Sequence, residues 1–225
     1  MIYESPPVLT FATGLRPQLL HATLASLLAC QPELVRQAHV IVLHNGLDAE
    51  TGDVLDLFSE HIDEVLTSHE LVPDGVANTW LASAALATGR EYWVSIEDDW
   101  ESMGFERDWY QKAVSILNDN PRVSQVRLRL ASEKVLADHM VTGQRIEWRN
   151  RIGYKLTSDA HRTQNPAVQW TRHARHAYPA ASEREMQRHW RAAGLKGVAQ
   201  LEPGEFRHLG EGDASLNRRM RRLQH

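Results

Sequence analysis

The stretch Tyr92–Glu101, YWVSIEDDWE, joins a strand-like run to a cluster of acids. Its first five residues are mostly aromatic or β-branched, which is typical of a buried strand, and four carboxylates follow within five residues: Glu97, Asp98, Asp99 and Glu101. In an open α/β sheet the carboxyl ends of the strands border the ligand crevice. Like charges held this close repel one another unless a cation lies among them. The stretch therefore favours either a divalent-metal site or a solvated acidic turn that caps the next helix.

Three further strand-and-helix pairs precede this stretch. The predicted strands are Val8–Thr13, Val40–Leu43 and Glu64–Thr67. The helices are expected to begin at Pro17, after the cap Asp48, and over Asp74–Thr88, the last with Val76, Trp80, Leu81 and Ala84 turned inward. Four such pairs within about a hundred residues predict an α/β, Rossmann-like, mostly parallel central sheet flanked by helices.

The composition is that of an ordinary soluble globular protein. The chain has 225 residues, of which 42% are hydrophobic and 24% charged. No apolar run approaches the roughly 18 residues of a membrane span, and no secretory leader is recognisable at the N-terminus, so we expect a cytoplasmic protein, with peripheral membrane association left open. Cys30 is the only cysteine, which excludes an intrachain disulfide and a cysteine-based zinc site.

The charge is distributed unevenly along the chain. Residues 1–120 contain 19 acidic and 5 basic residues, a net charge of −14, whereas residues 121–225 contain 10 acidic and 20 basic residues, a net charge of +10. The acidic part suits a metal site, and the basic part suits an anionic group such as a diphosphate or a phosphorylated acceptor. We expect no nucleic-acid partner, because the arginines are spread out and no recognised nucleic-acid-binding motif contains them.

The second half of the chain has a less regular pattern. A helix is predicted around Trp109–Leu117, and VSQVRLRL alternates apolar and cationic residues, as a strand with one basic face does. Residues 131–179 are polar and are expected to form loops and short strands around a substrate pocket. A further helix is predicted over Ser182–Ala193, followed by a strand over Val198–Leu201 and a basic tail. Because neither GxGxxG nor GxxxxGK[ST] occurs, a dinucleotide-binding Rossmann domain and a P-loop NTPase are disfavoured.

Four separated pieces of the sequence resemble the GT-A-fold glycosyltransferases of the family-2 type. TFATGLRPQLL is similar to the opening strand and T-x-x-R-P turn of that family, IVLHNGLD to its second-strand motif, and IEDDW to its DxD metal motif. SEREMQRHWRAAG, followed by PGEFRHLGEGDAS, resembles the acidic helix start and the late His-x-Gly metal-ligand motif. The pieces keep the family's order and span residues 8–218.

The resemblance implies transfer of a sugar from a nucleoside-diphosphate sugar to an acceptor hydroxyl, with inversion. A divalent Mn²⁺ or Mg²⁺ would be held by Asp99 and His208, and Glu183 would be the general base, with Glu185 as the second choice. We assign residues 1–110 to the nucleotide-sugar-binding half and 111–225 to the acceptor-binding and catalytic half of one domain. The expected GT-A-like fold has a smaller C-terminal portion on the acceptor side. The expected nucleotide-sugar contacts are Thr13, Arg16, His44, Asn45, Glu97, Asp98, Ser215 and Arg218.

The chain departs from the family pattern at three acidic positions. His44 stands where the family usually has an Asp that reads the nucleobase, Glu97 replaces the first Asp of the metal motif, and Glu183 replaces the usual catalytic Asp. These changes keep two other functions open: a sugar-phosphate nucleotidyltransferase, and a non-catalytic nucleotide-sugar or carbohydrate-binding domain of the same fold. The donor sugar, the nucleobase, the acceptor and the oligomeric state are left open.

Two residue types have competing interpretations. Glu183 and Glu185 are also ordinary partners of a helix dipole, since they lie in the first helical turn. Most of the seven tryptophans are expected in the core, namely Trp80, Trp93, Trp109 and Trp190. The others are candidates for stacking on a base or a sugar ring, namely Trp100, Trp148 and Trp170.

Overall fold

The computed structural model describes residues 2–130, 147–158, 166–177 and 183–209. Its first part contains the strands β1 (Val8–Thr13), β2 (His39–Asn45), β3 (Glu64–Ser68) and β4 (Tyr92–Glu97). These strands are parallel and lie in the order β3-β2-β1-β4. The helices between them are α1 (Pro17–Cys30), α2 (Pro32–Gln37), α3 (Ala49–Leu57) and α4 (Asp74–Ala87). The predicted α/β architecture is confirmed.

The second part of the chain extends the same sheet in mixed orientation. Its strands in this sheet are β6 (Val123–Arg127), β7 (Arg149–Arg151), β8 (Tyr154–Thr157), β9 (Ala167–Trp170) and β10 (Gly197–Leu201). After β4 the order continues β9-β6-β10-β8-β7, with β9 antiparallel to both of its neighbours and β10 parallel to β6. In the described part of residues 131–179 the expected short strands are present as β7, β8 and β9, and all three join the central sheet.

A separate two-stranded ribbon lies beside the end of β4. It pairs β5 (Trp100–Ser102) with β11 (Phe206–His208) in antiparallel orientation, so that His208 lies opposite Trp100. Each strand has only three residues, which is too short for a recognisable periodicity, and the sequence patterns did not predict it. The ribbon brings the late histidine to the acidic stretch.

Helices cover the sheet on both faces. One face packs an apolar cluster against α1 and α5 (Trp109–Asp119), and the other packs Val8, Ile41 and Trp93 against α4. Beyond β9 the chain forms the short helix α6 (Ala174–Ala177) and then α7 (Glu183–Ala192), which begins and ends within a residue of the prediction. Within the described ranges no helix is long and apolar enough to cross a membrane.

Several tryptophan and helix-face predictions need correction. Val76 and Trp80 were expected to point inward, but they are 38% and 39% exposed. The buried stripe of α4 consists of Gly75, Ala77, Leu81, Ala82 and Ala85. Small side chains allow a close approach to the sheet, and the larger neighbours are thereby turned outward.

The stacking prediction was wrong for two tryptophans. Trp100 and Trp170 are buried in the main core, so neither presents a free ring to a ligand. Trp148 is partly buried and packs against Val198. The predicted core positions of the remaining three, Trp93, Trp109 and Trp190, are confirmed.

Candidate functional site

The turn after β1 and the end of β4 meet where the strand order reverses, and Asp98 joins them. Its side chain is fully buried, and Oδ2 accepts hydrogen bonds from Thr13 Oγ1 at 2.9 Å, Gly14 N at 3.2 Å and Arg16 Nε at 3.1 Å. Arg16 also pairs with Oδ1. Burial raises the pKa of Asp98 to about 6 against the opposing charge of Arg16, which leaves it ionised at neutral pH. Asp98 therefore fixes the turn and has no oxygen directed outward.

The backbone around Asp98 is held just as firmly. Thr23, which is buried on α1, donates from Oγ1 to the Asp98 carbonyl at 2.8 Å and accepts from Trp100 N at 3.2 Å. Asp98 N donates to Ala12 O at 3.1 Å. These bonds fix the backbone of Asp98 and Trp100, the residues on either side of Asp99. The backbone position of Asp99 is therefore set by hydrogen bonds that its own side chain does not make.

Asp99 and His208 form a second, incompletely bonded group. His208 Nε2 lies 3.3 Å from Asp99 Oδ2, and Arg16 Nη1 donates to the same oxygen at 3.0 Å. Within the described part of the chain, Asp99 Oδ1 and His208 Nδ1 are buried without a hydrogen-bond partner. Burial alone would raise the pKa of Asp99, but the hydrogen bond with His208 and the charge of Arg16 bring the pKa below its usual value. An ionised carboxylate and an imidazole thus lie side by side, and each keeps an atom that could bind a ligand.

Glu205 holds the ribbon that presents His208. Its fully buried carboxylate accepts from Ser102 Oγ and Gly104 N at 2.7 Å each, and from Glu106 N at 3.3 Å. The Glu205 carbonyl accepts from Met103 N at 3.0 Å. Sequence reasoning missed this residue. The available signal was an acid placed between a Pro-Gly pair and an apolar residue, which is a weak one.

Gly204 allows β11 to approach the end of β6. Its φ is +87°, and a Cβ built at this position would lie 2.4 Å from Arg129 O, closer than any side chain tolerates. The next residue but one, Phe206, is buried and bonds through its backbone to Leu128 and Leu130. Glycine at 204 is therefore part of what places His208.

Trp100 lies between the acids and a cation. Its ring contacts the His208 ring edge-to-face with centroids 4.8 Å apart, and the Arg129 guanidinium lies 5.5 Å from its centroid. Its Nε1 donates to Glu97 Oε2 at 3.5 Å. Burial, together with the charge of Asp99, raises the pKa of Glu97 to about 8. Glu97 therefore keeps its proton more readily than Asp99, whose pKa is lowered.

His44 and Asn45 occupy the expected edge of the sheet, but their side chains are engaged inside the protein. His44 is 4% exposed, and its Nε2 accepts from Asp48 N at 3.3 Å and lies 3.4 Å from Asp48 Oδ2. Asp48 caps α3 by accepting from Thr51 N at 2.7 Å, as predicted. Asn45 bonds both the carbonyl and the amide of Val72. Both residues support the loops around the edge.

The remaining predicted site residues lie elsewhere. Glu183 and Glu185 are in the first turn of α7, and this helix is packed on α6 with Trp190 beside His173, 6.3 Å between ring centroids. Ser215 and Arg218, with the rest of the basic tail, lie outside the described residues.

Asp99 and His208 suit a cation whose other ligands come from outside the protein, such as the oxygens of a bound phosphate. Among the described residues no group of three or more His, Cys, Asp or Glu side chains could hold a metal alone. Asp99 and His208 supply two positions, and Asp99 Oδ1 is a buried acceptor with no partner in this part of the chain. The net charge of Asp98, Asp99 and Arg16 together is −1. This charge attracts a divalent ion but does not neutralise it. Mg²⁺ is commonly bound in this way, with phosphate oxygens completing the shell, and a carboxylate with an imidazole also suits Mn²⁺.

No protein-family model matches this sequence, and no curated protein matches it. Solved glycosyltransferase structures do match the fold. The mannosyltransferase PcManGT from Pyrobaculum calidifontis, in complex with GDP-Man and Mn²⁺, has a TM-score of 0.62 at 15% identity, over 99% of this chain and 62% of that one. GalNAc-T7 with UDP, GalNAc and Mn²⁺ has a TM-score of 0.64 at 8% identity, over 92% and 44%.

A third structure agrees with these two. S. aureus TarS 1-349 in complex with UDP-GlcNAc has a TM-score of 0.57 at 12% identity, over 92% of this chain and 62% of that one. The chain thus spans less than two thirds of each of the three proteins. At these identities the comparison establishes the GT-A fold and nothing finer.

Proposed function

We propose that this protein is a glycosyltransferase that moves a sugar from a nucleoside-diphosphate donor to an acceptor hydroxyl with inversion. The observation that carries the proposal is the approach of His208 Nε2 to Asp99 Oδ2, 3.3 Å, at the point where the strand order reverses. Open α/β sheets bind their ligands at this point. More than a hundred residues separate the two side chains in the sequence, and a ribbon of six residues serves to bring them together.

The leaving diphosphate would lie at Asp99, His208 and Arg16. A bound Mn²⁺ or Mg²⁺ would neutralise the negative charge that develops on the diphosphate as the sugar departs. Asp99 and His208 would hold this ion, and Asp98 keeps Arg16 beside them through its paired carboxylate. Because the Arg16 guanidinium is fixed before any ligand arrives, it adds a preorganised positive charge at the same place.

The acceptor hydroxyl needs a base, and Glu183 is our choice, with Glu185 as the alternative. Both lie at the amino end of α7, in the half of the chain that carries the excess of positive charge. The base would take the proton of the acceptor hydroxyl while the hydroxyl oxygen bonds to the sugar carbon and the bond from that carbon to the diphosphate breaks. A single displacement of this kind inverts the carbon and requires no second nucleophile. The neighbouring structures support the donor class, since they contain UDP, UDP-GlcNAc or GDP-Man, and two of them contain Mn²⁺.

One observation supports a second candidate, a non-catalytic nucleotide-sugar-binding domain. Arg16 Nη1 already donates to Asp99 Oδ2 at 3.0 Å, so a cation occupies part of the place proposed for the metal. Such a domain would bind the nucleotide without metal and without turnover. A nucleotidyltransferase has less support, because the Gly14 amide that a phosphate-binding loop would direct to its ligand is directed to Asp98.

Calorimetry with Mn²⁺ and a nucleoside diphosphate tests the metal assignment. Asp99→Asn should abolish the metal-dependent part of the affinity while the fold is kept, and Glu101→Gln, on the exposed side of the ribbon, should leave it unchanged. An unchanged affinity of Asp99→Asn would refute the metal site.

A transfer assay tests the base. Glu183→Gln should lower turnover by about 10²-fold or more with donor affinity retained, since a positioned base typically contributes 10²–10⁴. Near-normal turnover of Glu183→Gln would move the base to Glu185 or elsewhere. Metal-independent nucleotide binding with no transfer to any acceptor would support the non-catalytic domain.

A further inference from the structure

The polar side chains at the carboxyl ends of β2 and β3 are already bonded within the protein. His44 is paired with Asp48, Asn45 makes two bonds to Val72, and Ser68 donates to the carbonyl of Glu70. His44, Asn45 and Ser68 are all buried. All three side chains keep their hydrogen bonds within the protein whichever ligand binds. A base with a different pattern of donors and acceptors therefore leaves none of them unpaired.

Apolar side chains face the solvent at the same place. Leu15 is 50% exposed, Leu47 46% and Leu71 52%, and we call these three residues the leucine shelf. Leu15 and Leu71 both reach Gly46, where a built Cβ would lie 2.9 Å from Leu71 Cγ and 3.5 Å from Leu15 Cδ2. Leu15 directly precedes Arg16, so the shelf adjoins the proposed diphosphate position. Exposed apolar patches beside a charged site commonly mark ligand contact.

On the other side of the acids the surface offers less to a flat ring. Trp100, the aromatic residue that directly follows the acids, is 1% exposed and belongs to the core, and Trp170 pairs with Tyr92 at the amino end of β4, away from the acids. The shelf, in contrast, presents half-exposed apolar side chains in the loops that directly follow β1, β2 and β3, where a nucleobase could lie on them. The sheet order places it over β1 and β2, one strand away from the acids.

We infer that the leucine shelf supports the nucleobase of the donor by its flat face, and that the site accepts nucleoside diphosphates with little regard to the base. This inference rests on the proposed function. Strong discrimination requires buried polar groups that a wrong ligand would leave unpaired. Here those groups are satisfied in advance. The polar side chains left in the adjoining loop, His69 and Glu70, are exposed and so are poorly preorganised to read a base edge.

Calorimetric titration of the full chain in Mn²⁺ with UDP, CDP, GDP and ADP tests the inference. We expect the four dissociation constants to agree within about thirtyfold, the range that apolar contacts alone provide. One base preferred by more than that overturns the inference while leaving the proposed function intact. If none of the four nucleotides binds, the proposed function fails first, so the two failures are distinguishable.

A shelf variant gives an independent test. Leu71→Ser should weaken all four nucleotides by a similar factor, about five- to tenfold, because it removes apolar surface beneath the base, and it should leave the affinity for pyrophosphate unchanged. Leu57→Ser, at a 64% exposed position on α3, is the matched control and should change neither. Unchanged nucleotide affinity in Leu71→Ser would overturn the inference. Leu15→Ser serves as the second shelf variant if Leu71→Ser does not fold, and a thermal melt of each variant establishes that.

Discussion

Asp98 and Asp99 are consecutive in the sequence, yet they belong to two regions with opposite bonding. At the β1–β4 junction, formed by Thr13, Gly14, Arg16 and Asp98, the carboxylate accepts four hydrogen bonds and is fully buried. At the end of the β5–β11 ribbon, Asp99 and His208 each keep a buried polar atom with no partner in the described chain. The β1–β4 junction needs no ligand to satisfy the buried carboxylate of Asp98. The pair of Asp99 and His208 would have its buried polar atoms satisfied by a bound ligand.

The contrast shows that two consecutive acids of one motif have different functions. A carboxylate that is to bind a metal must be held in place without using all of its own lone pairs. Asp98 provides the support, because its hydrogen bonds join the turn after β1 to the end of β4. Asp99 is held in place by this junction and keeps Oδ1 without a partner among the described residues. The motif therefore has one acid for structure and one for ligand binding, and the two should respond differently to substitution.

The largest expected effect is the loss of the junction in Asp98→Asn. An unpaired charge left in a buried site costs about 3–5 kcal/mol, and because Arg16 is partly exposed and keeps Asp99 we expect about 3 kcal/mol. Asp99→Asn, the matched neighbour, should change the free energy of unfolding by less than about 1 kcal/mol. Urea denaturation of the two variants measures the difference. Equal destabilisation would break the distinction between the regions.

The junction could be anticipated from the sequence, and most of the first half of the fold with it. β1, β2, β3 and β4 are five to seven residues long and contain apolar or β-branched runs of three to six residues, and Pro17 and Asp48 mark helix starts in advance. The order of these signals specifies a parallel sheet, whose carboxyl ends must share one edge. The acids after β4 and the turn after β1 follow strands of this sheet, and Thr13, Arg16, Glu97 and Asp98 were all expected to contact the nucleotide sugar.

The roles of the individual acids could not be predicted, because they depend on contacts over long sequence distances. Nothing in EDD distinguishes the acid that Arg16 saturates from the acid that faces His208. The ribbon was missed since three-residue strands have no period, and the antiparallel insertion of β9 between β4 and β6 has no local signature. Trp80 was misplaced because a small-residue stripe on α4, and not its largest side chain, sets the helix face.

Glu205→Gln tests whether the ribbon has its own support. The amide cannot accept all the bonds that the buried carboxylate accepts from Ser102, Gly104 and Glu106, and it brings an NH₂ group against donors. We expect a loss of about 2 kcal/mol in unfolding free energy. The affinity for Mn²⁺ with nucleotide should fall as well, because β11 carries His208.

The control for Glu205→Gln is Glu202→Gln, whose side chain pairs with Lys155 at 2.9 Å near the surface. It should be neutral in both measurements, because exposed pairs contribute little. A Glu205→Gln variant that loses stability but keeps the wild-type metal affinity would show that the buried acid supports the fold without positioning His208.

His208→Ala should have a smaller effect, confined to the ligand. Removing one of two protein ligands should weaken Mn²⁺ binding in the presence of nucleotide about tenfold, which corresponds to about 1.4 kcal/mol. The midpoint of urea unfolding without ligand should stay close to that of the wild type, because the imidazole is partly exposed and its Nδ1 has no partner among the described residues. A metal titration that gives the wild-type affinity would remove His208 from the ligand set.

The smallest effect is expected at Arg207, which neighbours His208 on the same strand. Its guanidinium pairs with Glu101 across the ribbon, the two side chains being 55% and 31% exposed. An exposed pair of this kind contributes less than about 0.5 kcal/mol, because water solvates both partners once they separate. Arg207→Ala should therefore leave both urea stability and Mn²⁺ affinity within error of the wild type. A loss of metal affinity comparable to that of His208→Ala would mean that pairing across the ribbon's outer face, and not only the buried Glu205, positions the histidine.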